Sequence, residues 1–276
     1  MSAPLPFRGQ YRASWRTLLP VGRRFRRNRL AVGGVVALGV VLAGAFLAPL
    51  LARHDPTTTS TAFYQAPSAE HWFGTDNAGR DLFARVLYGA RVSLRVGLGS
   101  TLVALAIGVG AGTAAGYFGR GVDALVMRAT DVFLSFPPLL LAFAFVAATG
   151  QGEGTVVLVL GLAGWATMAR VLRASIQTVM TTDYVAAARA MGCPDRRVIA
   201  RHVLPNAIQP LLVVATIFAG TAILGEAALS FLGAGIPEPA PAWGSMVASA
   251  SGRLRSAPHL LLFPGLAIMV TVGAFV

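Results

Sequence analysis

Apolar and polar stretches alternate along this chain at the spacing of membrane spans. From Leu30 to Ala52 the sequence is unbroken by charge, and about 20 helical residues rising about 1.5 Å each cross about 30 Å of hydrocarbon. That run is read as a first span. Further apolar runs follow at Val92–Phe118, Val132–Ala148, Thr155–Leu172, Ala207–Leu229 and Pro258–Val276. The predicted organisation is a basic arm over 1–29, a first helix over 30–52, a polar loop over 53–91 and a five-helix core over 92–276. This is an all-α polytopic membrane protein with six transmembrane helices. A short cytoplasmic turn over 119–131 separates spans two and three, a polar segment over 177–206 falls between spans four and five, and an external loop rich in Gly and Pro over 230–257 precedes the sixth.

The composition agrees with lipid as the solvent. The chain of 276 residues is 55% hydrophobic and 12% charged, with a mean hydropathy of +0.66, values outside the range of soluble domains. A net charge of +12 would elsewhere suggest nucleic acid. Its placement points to a membrane surface, because Arg8, Arg12, Arg16, Arg23, Arg24, Arg26, Arg27 and Arg29 precede the first span with no acid among them. Cytoplasmic segments carry an excess of Arg and Lys, so the arm is read as a cytoplasmic anchor near anionic headgroups rather than a DNA-binding arm. Six spans then place both termini in the cytoplasm, with 16 of the 23 basic residues on that side. The first run exceeds the usual length of a signal-peptide core, which favours an uncleaved anchor.

Every basic residue is Arg, and Cys193 is the one cysteine. Without Lys the chain can supply neither the Walker A amine nor a Schiff base, and a single thiol excludes an intrachain disulfide or a cysteine metal cluster. No cofactor or metal site is expected on this chain. Within the spans, Gly108, Gly112 and Gly116 recur every fourth residue and form one flat face for close helix approach. That face serves either a contact in a pore bundle or ordinary helix packing. Pro137 and Pro138 remove backbone donors and predict a kink in span three, either a hinge of a transport cycle or a packing feature. Glu226 is an acid near the end of an otherwise apolar span, which marks it as a functional candidate. It lines a path, pairs with a partner's Arg, or closes a local hydrogen bond.

The polar segment from Asp183 to Asn206 reads as a helix, a turn and a second helix. Thr182 to Met191 is rich in helix formers, and Gly192 follows where a helix end tolerates positive φ. Pro194 suits the first position of a second helix, with Asp195 in its first turn and Arg196, Arg197 and Arg201 on a basic face. Pro205 is expected to close it. A DNA-binding helix-turn-helix has the same pattern, but the adjoining spans leave little room to enter a groove.

Three blocks together resemble the C-type permeases of the dipeptide, oligopeptide and nickel ABC importers: HWFGTDNAGRDLFARVLYGARVSL at 71–94, DYVAAARAMGCPDRRVIARHVLPN at 183–206, and GEAALSFLGAGIPEPAPAWG at 225–244. The middle block resembles the "EAA" loop of importer permeases, with Ala186 in the place of its usual Glu. The resemblance implies a type I ABC importer permease fold in which 177–206 is a coupling-helix loop resting on a separate ATPase. Tyr184, Ala187, Ala188, Arg189, Gly192, Arg201, His202, Leu204 and Pro205 would form the docking surface, His202 as a packing or interface residue. It also implies a homologous second permease, two ATPase subunits that hold ATP and magnesium, and an external solute-binding protein, all at a bacterial or archaeal cytoplasmic membrane. The expected cargo is a di- or oligopeptide or a related small solute such as nickel.

Two other classes compete. A membrane-embedded hydrolase needs a nucleophile and base within the spans, yet Ser100, Ser135 and Ser175 have no intramembrane His, since His54, His71, His202 and His259 fall in loops or at span ends. An ion-coupled secondary transporter needs buried coupling acids and broken helices at mid-membrane, and few acids are available.

Overall fold

The computed structural model describes residues 28–276. The basic arm from Arg8 to Arg27 lies outside the described residues. Helix α1 (Arg29–Leu51) starts at Asn28, whose side chain accepts from the backbone N–H groups of Leu30 and Ala31. Pro49 sits inside α1 and leaves the carbonyl of Ala45 without its helical donor. Arg91 of the neighbouring helix supplies one, donating from Nε to Ala45 O and from Nη2 to Phe46 O. An unpaired carbonyl at this depth would cost several kcal/mol, so the proline and the arginine form one device.

Helix α2 (Leu82–Phe118) spans 37 residues, about 55 Å, and begins ten residues before the expected second span. Asp81 explains the early start: its side chain accepts from the Ala84 N–H and caps the helix. Helix α5 (Glu153–Met180) likewise overruns its predicted end at Leu172. The two pack along most of their lengths. Gly108, Gly112 and Gly116 face α5 of the same chain, where an added Cβ would lie 2.5 Å from Met168 Cβ, 2.6 Å from Ala169 O and 2.9 Å from Ile176 Cβ.

Between these two helices lie α3 (Arg120–Ser135) and α4 (Pro138–Thr149). The expected short turn at 119–131 is mostly helix, and the expected kinked span is two helices meeting at 89°. Consecutive prolines explain the break. Each pushes the preceding residue into extended backbone, and Phe136 and Pro137 are extended at ψ 136° and 128°. Pro138 becomes the first residue of α4.

After α5 come α6 (Asp183–Ala190), α7 (Asp195–Val198), a π-helical turn (Ile199–Val203) and α8 (Leu204–Ala207), leading to α9 (Gln209–Phe231). The sequence then forms α10 (Trp243–Ala250), inside the expected loop, and α11 (His259–Phe275). Trp243 is buried and donates from Nε1 to Val86 O at 2.9 Å.

Helices α1, α2, α5 and α9 are each long and apolar enough to cross a membrane, and α3 with α4 meets the same test as a broken pair. Helix α11 is apolar but has 17 residues. The arrangement is compatible with six spans. Three larger apolar clusters among the described residues hold it together, with a smaller one around Trp165, Ala166 and Ala169 of α5. One around Val96, Val159 and Leu229 lies at one end of α2, α5 and α9, and one around Leu172, Ile176 and Leu211 at the other. The third joins α1 to α2, α10 and α11.

Candidate functional site

The polar segment between α5 and α9 is folded onto the helix ends rather than hanging from them. Val185, Val198 and Val203 are buried in one cluster with Leu172 and Ile176 of α5, and Ala188 is buried as well. Gly192 has φ +77°, which turns the chain from α6 toward α7, and its N–H bonds Arg189 O at 2.9 Å. Pro194 is the cap before α7 rather than its first residue, and Asp195 opens the helix. Tyr117, near the end of α2, donates its hydroxyl to Asp195 Oδ1 at 2.5 Å. The guanidinium of Arg189 lies 4.8 Å over the Tyr117 ring. One aromatic side chain thus grips both short helices.

Pro205 does not close the second helix, because the backbone runs on to Ala207. The π turn makes this possible: Leu204 N–H reaches back five residues to Ile199 O. Widening the helix just before a proline relieves the clash of its ring with the preceding turn. Of the docking candidates, Ala187, Arg189, Gly192, Arg201 and Pro205 are exposed, whereas Tyr184, His202 and Leu204 are half-buried. Ala188 is buried, so the exposed small surface of α6 is formed by Ala186 and Ala187. Arg196, Arg197 and Arg201 stand exposed beside it.

Two ion pairs fix α3 to α5 near the same end, Arg170 with Asp131 and Arg173 with Asp123. The sequence pattern gave no sign of either pairing.

A cavity of about 470 Å³ opens between the α3–α4 break, α5 and α9, lined by Leu134, Pro138, Thr167, Phe218 and Thr221 among others. Pro138 is at this surface. Glu226 is not; it is 0% exposed, enclosed between α2 and α9. Its carboxylate accepts from Ser230 Oγ at 2.7 Å and from Ser93 Oγ at 3.5 Å. Ser230 Oγ in turn accepts from Ile236 N–H at 3.2 Å. Glu226 therefore ties the end of α9 to the following loop.

At the end of the bundle away from the polar segment, the block at 71–94 meets the block at 225–244. Asp76 Oδ1 accepts from the N–H groups of Ala78 and Arg80, and its Oδ2 takes Arg80 Nε at 2.7 Å. Gly79 has φ +69°, and a Cβ there would lie 2.2 Å from Ser60 O. Arg80 then forks onto Glu238 at 3.1 and 3.2 Å. Arg85 is almost wholly buried 3.3 Å from Asp76 and donates to Pro56 O at 3.1 Å. Burial draws the Arg80 guanidinium down, but the bond to Glu238 and the charge of Asp76 outweigh it and leave its pKa above the usual value. The spacing of these residues carried no sign of the fork. Asp81, from the same block, sits against His54 and His71, a grouping that the sequence also concealed.

A family model described as the binding-protein-dependent transport system inner membrane component matches residues 107–276. One described as the N-terminal TM domain of oligopeptide transport permease C matches residues 20–67. The dipeptide transport system permease protein DppC of Alkalihalophilus pseudofirmus is 40% identical over 254 residues, 92% of this chain and 84% of that protein. The oligopeptide transport system permease protein OppC of Bacillus subtilis is 35% identical over 253 residues, 91% and 83% of the two chains. Among solved structures, an inward-facing MetNI methionine ABC transporter chain is similar in fold, with a TM-score of 0.55, 19% identity and coverage of 68% of this chain and 89% of that one. These matches leave neither the hydrolase nor the ion-coupled secondary transporter as a reading of the molecule: the chain belongs to the binding-protein-dependent transport system inner membrane component family, the membrane permeases of ABC importers.

Proposed function

We propose that the chain is one of two homologous permeases in an importer of di- or oligopeptides. In this complex two ATPase subunits bind ATP and magnesium, and a solute-binding protein delivers cargo from outside. The peptide cargo is supported by the names of the relatives, a dipeptide and an oligopeptide permease. A sequence without Lys supports assigning ATP hydrolysis to the partner subunits. The concentration of Arg in 1–29, at 120–128 and at 170–201 supports cytoplasmic termini and a cytoplasmic polar segment.

The single observation that carries the coupling role is the way the polar segment is mounted. Helices α6 and α7 share a core with α5 and are gripped by Tyr117 of α2, while Ala186, Ala187, Arg196 and Arg201 face outward. A partner that moved this surface would move the ends of α2, α5 and α9 with it as one body. The 470 Å³ cavity beside the α3–α4 break is the surface we assign to the cargo path and the second permease.

Cys193, the only thiol, is half-buried at the turn and provides the test. A short photo-crosslinker attached there in native membranes, with Cys193→Ser as control, is expected to capture an ATP-binding subunit in a nucleotide-dependent way. A labelled thiol that captures none would remove the docking role. ATP-driven uptake of a radiolabelled dipeptide into proteoliposomes, undiminished by excess nickel, is expected; uptake driven by a proton gradient without ATP would overturn the reading.

A further inference from the structure

His54, His71 and Asp81 are spread over 28 residues of sequence and converge at the end of the bundle opposite the polar segment. His54 lies just after α1, His71 in a turn where its N–H bonds Ser68 Oγ at 3.0 Å, and Asp81 at the start of α2. His71 Nδ1 is 2.8 Å from Asp81 Oδ2, and His54 Nδ1 is 3.6 Å from the same oxygen. One ligand atom from each of the three residues falls within 4.8 Å of the others.

A helix cap stabilised by one histidine would account for His71 but not for a second imidazole directed at the same oxygen. A tetrahedral ion with bonds of about 2.0–2.2 Å holds its ligand atoms about 3.4 Å apart. The two separations to Asp81, 2.8 and 3.6 Å, bracket that value, and the one between the imidazoles is within 4.8 Å, so the set closes on an ion when the two histidine side chains turn toward each other. The carboxylate is already oriented: Oδ1 accepts from Ala84 N–H at 2.7 Å, which leaves Oδ2 for the histidines, the kind of outer support that metal ligands use. Asp81 is buried and His54 partly exposed. All three line a cavity of about 470 Å³ with Glu70 on its wall, which gives an ion an entry route and room for a water as fourth ligand.

We propose that His54, His71 and Asp81 bind a divalent cation of the zinc class, two imidazoles and one carboxylate being suited to it. The ion joins the end of α1 and the following loop to the first turn of α2. This site is separate from the docking surface and the cargo path, and stands or falls independently of the cargo.

The test uses the intact importer complex, purified through a tag without histidine, equilibrated with zinc and dialysed, with bound metal measured by plasma mass spectrometry and affinity by competition with a chromophoric chelator. The wild type is expected to hold one zinc more per complex than His54→Ala/His71→Ala. Each single His→Ala is expected to weaken binding at least about tenfold, since even indirect supports of a metal ligand contribute about 10–100-fold. Glu70→Gln is expected to retain the ion. Asp81→Asn keeps an oxygen for the Ala84 cap while removing the charge, and should lose the ion while remaining folded. Equal zinc content and affinity in the wild type and the double variant would overturn the site.

Discussion

Arg80 and Glu238, 158 residues apart, meet in a two-pronged ion pair at 3.1 and 3.2 Å. The pair joins the loop before α2 to the loop after α9, and Asp76 and Arg85 complete the cluster. Planar fork geometry suits Arg and not Lys. Arg80→Lys should therefore lower the melting temperature of the detergent-solubilised complex. A double-mutant cycle of Arg80→Ala with Glu238→Ala should show a coupling of about 1 kcal/mol, held to that size by the partial exposure of Glu238. Additive effects of the two changes would show that the fork does not contribute.

Tyr117 is expected to keep the polar segment in register with α2. Tyr117→Phe keeps the ring beneath Arg189 and removes the bond to Asp195, a loss of about 1 kcal/mol because Asp195 is exposed. Insertion into the membrane should be normal, while stimulation of ATPase activity by the loaded binding protein should fall. Unchanged stimulation would mean that the grip is not used in coupling.

Gly192 adopts φ +77° with open space around it, so a side chain there meets backbone strain and no neighbour. Gly192→Val should cost about 1–2 kcal/mol and reduce recovery of ATPases with the permease, while Gly192→Asn, which tolerates this conformation better, should recover much of it. Equal recovery in both variants and the wild type would dissociate the turn from docking.

Gly108 faces Met168 Cβ at a distance that excludes a methyl group. Gly108→Val should separate α2 from α5, giving lower expression and a lower melting temperature, whereas Gly110→Val, with nothing near its Cβ position, should not. Similar stability of the two variants would contradict the close packing of these helices.

Glu226 lies in a closed set of bonds with Ser93 and Ser230. Glu226→Gln should assemble normally and transport more slowly, and Ser230→Ala should reproduce the defect if the tie between α9 and its following loop is responsible. Normal uptake by both variants would remove this group from the mechanism.

The apolar runs of this chain determined by themselves that it is an all-helical membrane protein, because lipid leaves the backbone no other way to satisfy its polar groups over such lengths. The turn at Gly192 and the start of α7 near Pro194 were equally legible, since capping and proline rules act over a few residues. Helix limits were less so: Asp81 starts α2 and Pro137 divides span three through local chemistry that hydropathy does not register. The grip of Tyr117 on Asp195, the fork from Arg80 to Glu238, the burial of Ala188 and Glu226, and the meeting of His54, His71 and Asp81 were decided only by the tertiary structure. Each depends on which helix faces which, and side-chain packing between segments far apart in the chain sets that choice.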